Sequence, residues 1–254
     1  MNKYERLATK LANREKVIGT TMSLLNSPLL LESMNREDLD FVLLDGEHGV
    51  FNTENSIPMF QVARLMGLPI FYRVQDTKYH LIAKTVDMGA DGIMIPRTET
   101  LEQLQAAVDA LFFYPVGRKG CGGYGQQRAG ETFEDFAKTR FLMPQIESQE
   151  GIDMLPQMLE KYGEYISAVM IGPYDLSVML GTPKQIGTPV MLDAIQKIFD
   201  ISNSYGKSCG IFCDNEVLAQ KYRDMGCNVL WTATDKDFFL KGYREEMEVL
   251  TNIK

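Results

Sequence analysis

The chain has 254 residues, 45% hydrophobic and 24% charged, which is enough apolar material for one large core. Its formal net charge of −8 at pH 7 argues against the basic surface that a nucleic-acid-binding protein needs. A few local cations would still suffice to bind a small anionic substrate. The N-terminus is charged, and no apolar run is long enough to cross a bilayer, so we expect a cytoplasmic protein with no membrane partner. The four cysteines lack zinc-type spacing and are expected to be free thiols.

Strand-like and helix-like segments alternate along the chain in eight units. The predicted strands are Lys16–Met22, Phe41–Leu44, Pro69–Arg73, Asp91–Pro96, Phe141–Ile146, Tyr165–Ile171, Lys207–Phe212 and Cys227–Thr232. The predicted helices are Leu29–Met34, Asn52–Met66, Thr77–Met88, Glu99–Leu111, Phe133–Lys138, Gln149–Lys161, Pro189–Tyr205, Glu216–Met225 and Asp235–Leu250. This alternation predicts a parallel sheet, and at this length a single (β/α)8 TIM barrel over residues 1–254. A doubly wound parallel sheet is the alternative fold.

A glycine-rich segment interrupts the alternation. Gly120–Gly125 matches G-x-G-x-x-G, but it follows Tyr114–Val116 rather than a strand, so the match does not indicate a dinucleotide site. We expect no nucleotide cofactor, and we expect these glycines to form a flexible loop over the functional site.

Polar side chains stand where the predicted strands end: Asp45, Glu47, His48, Arg73, Gln145, Glu147, Asp175 and Asp214. In a barrel these residues converge on one face, and His48 has an ordinary pKa suited to proton transfer near neutral pH. Glu147 and Asp175 are oxygen ligands that suit Mg²⁺ or Mn²⁺. Two other readings stay open: each acid caps the helix that follows it, and Asp45 and His48 only hydrogen-bond loop backbone.

The lysines argue against imine chemistry. An imine-forming aldolase needs a lysine inside the barrel, whereas Lys16 and Lys207 lie at the starts of predicted strands, far from the strand-end face. A metal ion can do the same electronic work by polarising a carbonyl group.

Three motifs together resemble the HpcH/HpaI aldolase family: Asp45–His48, Gln145–Glu147 and Ile171–Ser177. The resemblance runs from about Ile18 to the last strand. It implies a metal-dependent class II aldolase acting on 2-keto-3-deoxy acids, such as 2,4-dihydroxyhept-2-ene-1,7-dioate, with pyruvate as one product. The implied cofactor is a divalent cation: Mg²⁺, Mn²⁺ or Co²⁺.

The resemblance also implies roles for single residues. His48 matches the catalytic base, Arg73 the arginine that stabilises the enolate, and Glu147 and Asp175 the metal ligands. Asp45 is expected to orient His48 or its bound water.

Further residues match family positions that bind the keto acid or act between subunits. Gln145, Gly172, the backbone at Tyr174 and Asp175 match the substrate-binding positions. Asp87 matches an acid that raises the basicity of a neighbouring subunit's histidine. Members of the family are commonly homo-oligomers, either trimers or hexamers. In such an assembly the C-terminal helix is expected to pack on a neighbouring subunit.

Tyr174 departs from the family pattern, which has a small residue there, so the aldehyde partner stays open. A related CoA-thioester lyase is an alternative function, and its cationic groove would have to come from Arg97, Arg118, Lys119 and Arg128. A non-catalytic keto-acid sensor is another.

Overall fold

The computed structural model describes residues 2–122, 127 and 130–253. The eight strands are β1 (Val17–Met22), β2 (Phe41–Asp45), β3 (Ile70–Arg73), β4 (Gly92–Ile95), β5 (Phe141–Ile146), β6 (Ala168–Ile171), β7 (Ser208–Cys213) and β8 (Val229–Thr234). They pair in parallel in chain order, and β8 closes on β1. The predicted (β/α)8 barrel is therefore confirmed, and the doubly wound alternative is wrong.

The described helices are α1 (Lys3–Ala12), α2 (Pro28–Met34), α3 (Ile57–Met66), α4 (Tyr79–Met88), α5 (Leu101–Leu111), α6 (Phe133–Lys138), α7 (Gln149–Tyr162), α8 (Pro173–Met179), α9 (Pro189–Ser204), α10 (Glu216–Asp224) and α11 (Asp235–Thr251). Among the described residues, no helix combines the length and apolar character needed to span a membrane.

Two helices were not predicted from the sequence. Asn2 and Glu5 form a capping box at the start of α1, whose buried Tyr4, Leu7 and Leu11 share one face. Leu7 and Leu11 pack with residues of the barrel interior, so α1 covers the amino-terminal end of the barrel. The other helix, α8, begins at Pro173, directly after β6.

The helix predicted from Asn52 begins only at Ile57. Asn52 and Asn55 each accept a hydrogen bond from the other's backbone N–H at 2.8 Å, which holds this segment as a turn. Gly67 ends the helix as predicted, with a left-handed φ of 65°.

Aromatic side chains fill the amino-terminal half of the barrel interior. Phe71 packs against Phe41 and Phe141 with ring centroids 5.0 and 5.2 Å away. Gly19 leaves room for this cluster, because a Cβ atom there would lie 2.1 Å from Phe41 Cζ. With this end filled, ligands have access from the carboxyl-terminal end of the strands, where Asp45, Arg73 and Gln145 line a cavity.

Gly123–Gly125 of the predicted flexible loop lie outside the described residues. The preceding part is held to α4, because the Gly120 N–H donates to Tyr79 Oη at 2.7 Å and buried Lys119 pairs with Asp87.

Candidate active site

The last residues of β2 and β3 form a charged pair inside the barrel. Asp45 and Arg73 lie opposite each other in the strand register. Arg73 Nε and Nη2 donate to the two carboxylate oxygens of Asp45 at 2.9 and 2.6 Å, and Arg73 Nη1 lies 3.1 Å from Glu47 Oε2. A guanidinium has five N–H donors, more than these contacts use.

Both members of the pair stay charged. Burial alone would raise the pKa of Asp45, but hydrogen bonds from Arg73 and from the His48 and Glu47 amides hold it below its usual value. Burial opposes the charge on Arg73 as well, yet its hydrogen bonds to Asp45 raise its pKa. The site therefore contains a fixed cation that can face an anionic substrate.

His48 is exposed, with 62% of its side chain accessible. Asp45 accepts a hydrogen bond from the His48 backbone N–H at 3.2 Å, and its carboxylate is engaged by Arg73 and this loop. The acid beside the imidazole is Glu47, whose Oε2 lies 3.8 Å from Nε2. Glu47 is therefore the acid within ion-pair distance of the imidazole, and the orientation of His48 by Asp45 stays a prediction.

Glu47 received no role from the sequence, although it stands in the first motif. Its carboxylate lies between three cationic or titratable groups: Arg73, His48 and Arg97, whose Nη2 donates to Oε1 at 3.3 Å. No sequence pattern distinguishes this acid from its neighbour Asp45.

Glu147 is a buried carboxylate with one oxygen that accepts no hydrogen bond from the described residues. Its side chain follows β5 and the residue is only 2% exposed. Oε2 accepts a hydrogen bond from the Arg97 backbone N–H at 3.0 Å, whereas Oε1 has no hydrogen-bond partner among the described residues, and neither does Gln145 Oε1. Burial raises the pKa of Glu147 to about 8, and the carboxylate of Asp175 acts in the same direction.

Gly172 gives these two side chains their space. A Cβ atom at this position would lie 1.8 Å from Glu147 Oε1 and 2.6 Å from Gln145 Nε2. Glycine is therefore required here by close approach, since its φ of −93° is open to any residue.

The residues fit a divalent cation. Asp175 lies exposed in the first turn of α8 and contributes to the electrostatic environment of buried Glu147. Within the described part of the chain, no cluster of three or more His, Cys, Asp and Glu side chains has the form of a metal site. A cation at Glu147 and Asp175 would rely on two carboxylates, which is typical of Mg²⁺. A buried carboxylate oxygen without a partner is the kind of atom such an ion would satisfy.

One cavity of about 1210 Å³ unites most of the predicted site. Its lining includes Asp45, His48, Arg73, Gln145, Gly172, Tyr174 and Asp175. Asp87 does not line it: on α4 it forms an ion pair with Lys119, whose side chain is fully buried. Its action on a neighbouring subunit stays a prediction.

A sequence model of the HpcH/HpaI aldolase/citrate lyase family matches residues 22–241. The chain belongs to this family. Membership of this family and similarity to an aldolase indicate that the protein is a lyase. A 5-keto-4-deoxy-D-glucarate aldolase of Escherichia coli O6:H1 is 28% identical over 233 residues, which is 90% of each chain.

Two solved structures share the fold. An HpcH/HpaI aldolase from Desulfitobacterium hafniense DCB-2 superposes with a TM-score of 0.88 at 22% identity, covering 97% of this chain and 96% of its own. The citrate synthase SbnG superposes with a TM-score of 0.84 at 23% identity, covering 96% of this chain and 97% of its own. At such identities the likeness supports the architecture, and the reaction has to be argued from the site.

Proposed function

We propose that this protein is a class II pyruvate-dependent aldehyde-lyase, of EC 4.1.2 type, that reversibly cleaves a 4-hydroxy-2-keto acid into pyruvate and an aldehyde. The observation that carries the proposal is that Glu147, a buried carboxylate whose Oε1 has no hydrogen-bond partner among the described residues, packs directly against Gly172 in the wall of the cavity that a permanently charged Arg73 also lines. The first offers a cation ligand and the second a partner for the charge that develops on the keto acid.

Glu147 and Asp175 would hold the divalent cation, which when bound would supply Lewis-acid polarisation of the keto group. Gln145, with an oxygen that has no partner among the described residues, and the main chain at Gly172 and Tyr174 would position the keto acid.

His48 would act on the hydroxyl group of the aldol. It takes the proton from the C4 hydroxyl, directly or through a water molecule, and the C3–C4 bond then breaks to release the aldehyde. The electron pair of that bond passes into the enolate of pyruvate, and Arg73 stabilises the negative charge. The proton taken from the hydroxyl group, returned directly or through a water molecule to C3 of the enolate, then gives pyruvate.

The structure offers little to the CoA-thioester alternative. Two of the cations required for a phosphate groove already have acidic partners: Arg97 contacts Glu47, and buried Lys119 pairs with Asp87. Arg118 is highly exposed with Asp109 3.9 Å away, and Arg128 lies outside the described residues. A non-catalytic sensor would bind the keto acid without turnover, so measured turnover separates it from the proposal.

The protein would act as a homo-oligomer through its last helix. Of the 17 residues of α11, Asp235 alone is buried, and Phe239, Tyr243, Met247 and Leu250 form an exposed apolar stripe. An apolar groove of about 620 Å³ lies on the outer face of β1 and β8, between α2 and the start of α11. In a (β/α)8 barrel a helix normally covers each such face, so we assign the groove to α11 of a second copy.

Light scattering tests this assembly. The intact chain should have the mass of a trimer or hexamer, and Met247→Asp should reduce it, because a charge would enter an apolar contact. An intact chain that is monomeric at micromolar concentration would contradict it.

Aldol synthesis tests the reaction. Pyruvate is incubated with a panel of aldehydes and with Mg²⁺, Mn²⁺ or Co²⁺, and the 4-hydroxy-2-keto acid product is measured by mass spectrometry. We expect product only with a divalent cation. Cation-dependent binding of pyruvate without product from any aldehyde would favour the sensor, and turnover of a CoA thioester instead would favour the thioester lyase.

A further inference from the structure

The side of the cavity that faces Arg73 across the barrel is aromatic. Phe212 of β7 and Trp231 of β8 meet edge to face with ring centroids 5.2 Å apart, and Tyr174 lies 6.5 Å from Phe212. The Trp231 indole N–H donates to Thr21 Oγ1 at 2.5 Å, so the indole's polar atom is already engaged. Exposed Tyr174 and half-buried Phe212 therefore offer ring surface to a ligand on this side, and Trp231, which is 4% exposed, packs behind them.

At its outer end this aromatic surface meets the carboxylate of Asp214. The Tyr174 hydroxyl donates to Asp214 Oδ1 at 2.7 Å, just beyond the end of β7. In this hydrogen bond the phenol is the donor and the carboxylate is the acceptor. The pair as a whole therefore presents an acceptor carrying one negative charge.

The remaining charged groups at this end of the cavity belong to α11 and are exposed. They are Lys236, Asp237, Lys241, Arg244, Glu245 and Glu248. Cations and acids are balanced there and solvent screens both, so α11 adds no net positive charge that would hold a carboxylate.

We propose that Tyr174, Phe212, Trp231 and Asp214 form the subsite for the acceptor aldehyde, and that this subsite selects uncharged hydroxyaldehydes over aldehydes that end in a carboxylate. The inference rests on the proposed function and names the substrate class of the same site. The rings pack against the carbon chain, and Asp214 accepts a hydrogen bond from a distal hydroxyl group. A carboxylate in the same place would face Asp214 as a like charge without a hydrogen to share.

Two matched aldehydes test the selection. Glyceraldehyde and tartronate semialdehyde differ in one group, a hydroxymethyl in the first and a carboxylate in the second. With pyruvate in excess, kcat/KM should favour glyceraldehyde by about tenfold or more, as expected for one like charge at a partly exposed wall. In Asp214→Asn the ratio should fall by about tenfold, and Asp214→Ser should shift it the same way.

Glu216→Gln is the matched control. Glu216 is exposed and only two residues from Asp214 but does not line the cavity, so the ratio should keep its wild-type value. A preference for tartronate semialdehyde, or a ratio that both Asp214 variants leave unchanged, would overturn the inference. A shift of equal size in Glu216→Gln would overturn it too, because the general charge of this face would then explain the selection.

A separate assay distinguishes this failure from failure of the proposed function. Exchange of the methyl hydrogens of pyruvate for deuterium needs no aldehyde. Exchange by the wild-type protein without the predicted aldehyde ratio would refute the subsite alone. Absence of exchange, with no product from either aldehyde, would refute the aldolase and the subsite together.

Discussion

Replacing Gly172 with alanine should disrupt the site while leaving the barrel folded. The new Cβ atom would lie 1.8 Å from Glu147 Oε1 and 2.6 Å from Gln145 Nε2, far inside van der Waals contact. Both side chains are buried, and the carboxylate of Glu147 in particular must move by more than an ångström within a closely packed environment. Such overpacking costs about 1–3 kcal/mol of folding free energy. A displacement of about 1 Å at a catalytic group typically costs on the order of 100-fold in rate.

Chemical denaturation and aldol kinetics measure these two effects on the same preparation. Gly187→Ala is the control, because a Cβ atom there meets nothing within 4 Å and should change neither quantity by much. The kcat/KM of Gly172→Ala should fall about 100-fold. If the variant kept wild-type stability and activity, the close packing of Glu147 against Gly172 could not be the basis of the site.

Three further substitutions test other parts of the site. Arg73→Lys should lower kcat at least about tenfold while the protein stays folded, because a lysine lacks the planar fork that contacts Asp45 and the enolate; an unchanged kcat would contradict the role. His48→Ala should cleave the aldol about 10²–10⁴-fold more slowly and still bind pyruvate. Mixing His48→Ala with Asp87→Asn should restore activity if Asp87 acts across subunits. No recovery after subunit exchange would refute that role of Asp87. Asp235→Asn should cost about 1–3 kcal/mol at neutral pH. The difference should shrink as the pH falls below about 4, the ordinary pKa of an aspartate, toward the lower pKa of the folded wild-type carboxylate; urea denaturation at a series of pH values would show whether it does.

The pH dependence follows from the contacts of Asp235. Burial raises its pKa, but hydrogen bonds from the Leu25, Ser23 and Leu24 amides outweigh burial and leave it below the usual value. A carboxylate with a depressed pKa stabilises the fold above its unfolded pKa, and this contribution is lost as the pH falls through the folded value. Equal stability of wild type and variant at neutral pH would show that these hydrogen bonds contribute little.

The sequence was informative about the fold because each buried strand reads as a continuous apolar run, as in Phe41–Leu44 and Phe141–Ile146. It was less informative where polar side chains compete with helical backbone, as in the turn held by Asn52 and Asn55. The capping box of Asn2 and Glu5 and the apolar face of α1 are local sequence signals that predict this helix.

The site was predictable only to the level of residue type and strand end. That Asp45 lies opposite Arg73 depends on strand register, which an apolar run does not specify. The donor to Glu147 is a backbone N–H of Arg97, a residue held at a φ of 43°, and the sequence carries no signal for that contact. The acidic environment of His48, set by Glu47, likewise became visible only in three dimensions.

We propose that Arg73 in the cavity and Glu147 behind its wall make this a cation-dependent site for pyruvate chemistry. NMR of pyruvate in D₂O, with no aldehyde present, tests it most directly by following the loss of the methyl proton signal. We expect exchange that stops with excess chelator, returns with Mg²⁺ or Mn²⁺, and is lost in Glu147→Gln. Exchange at the full rate in chelator or in Glu147→Gln, or no exchange with any divalent cation, would contradict it.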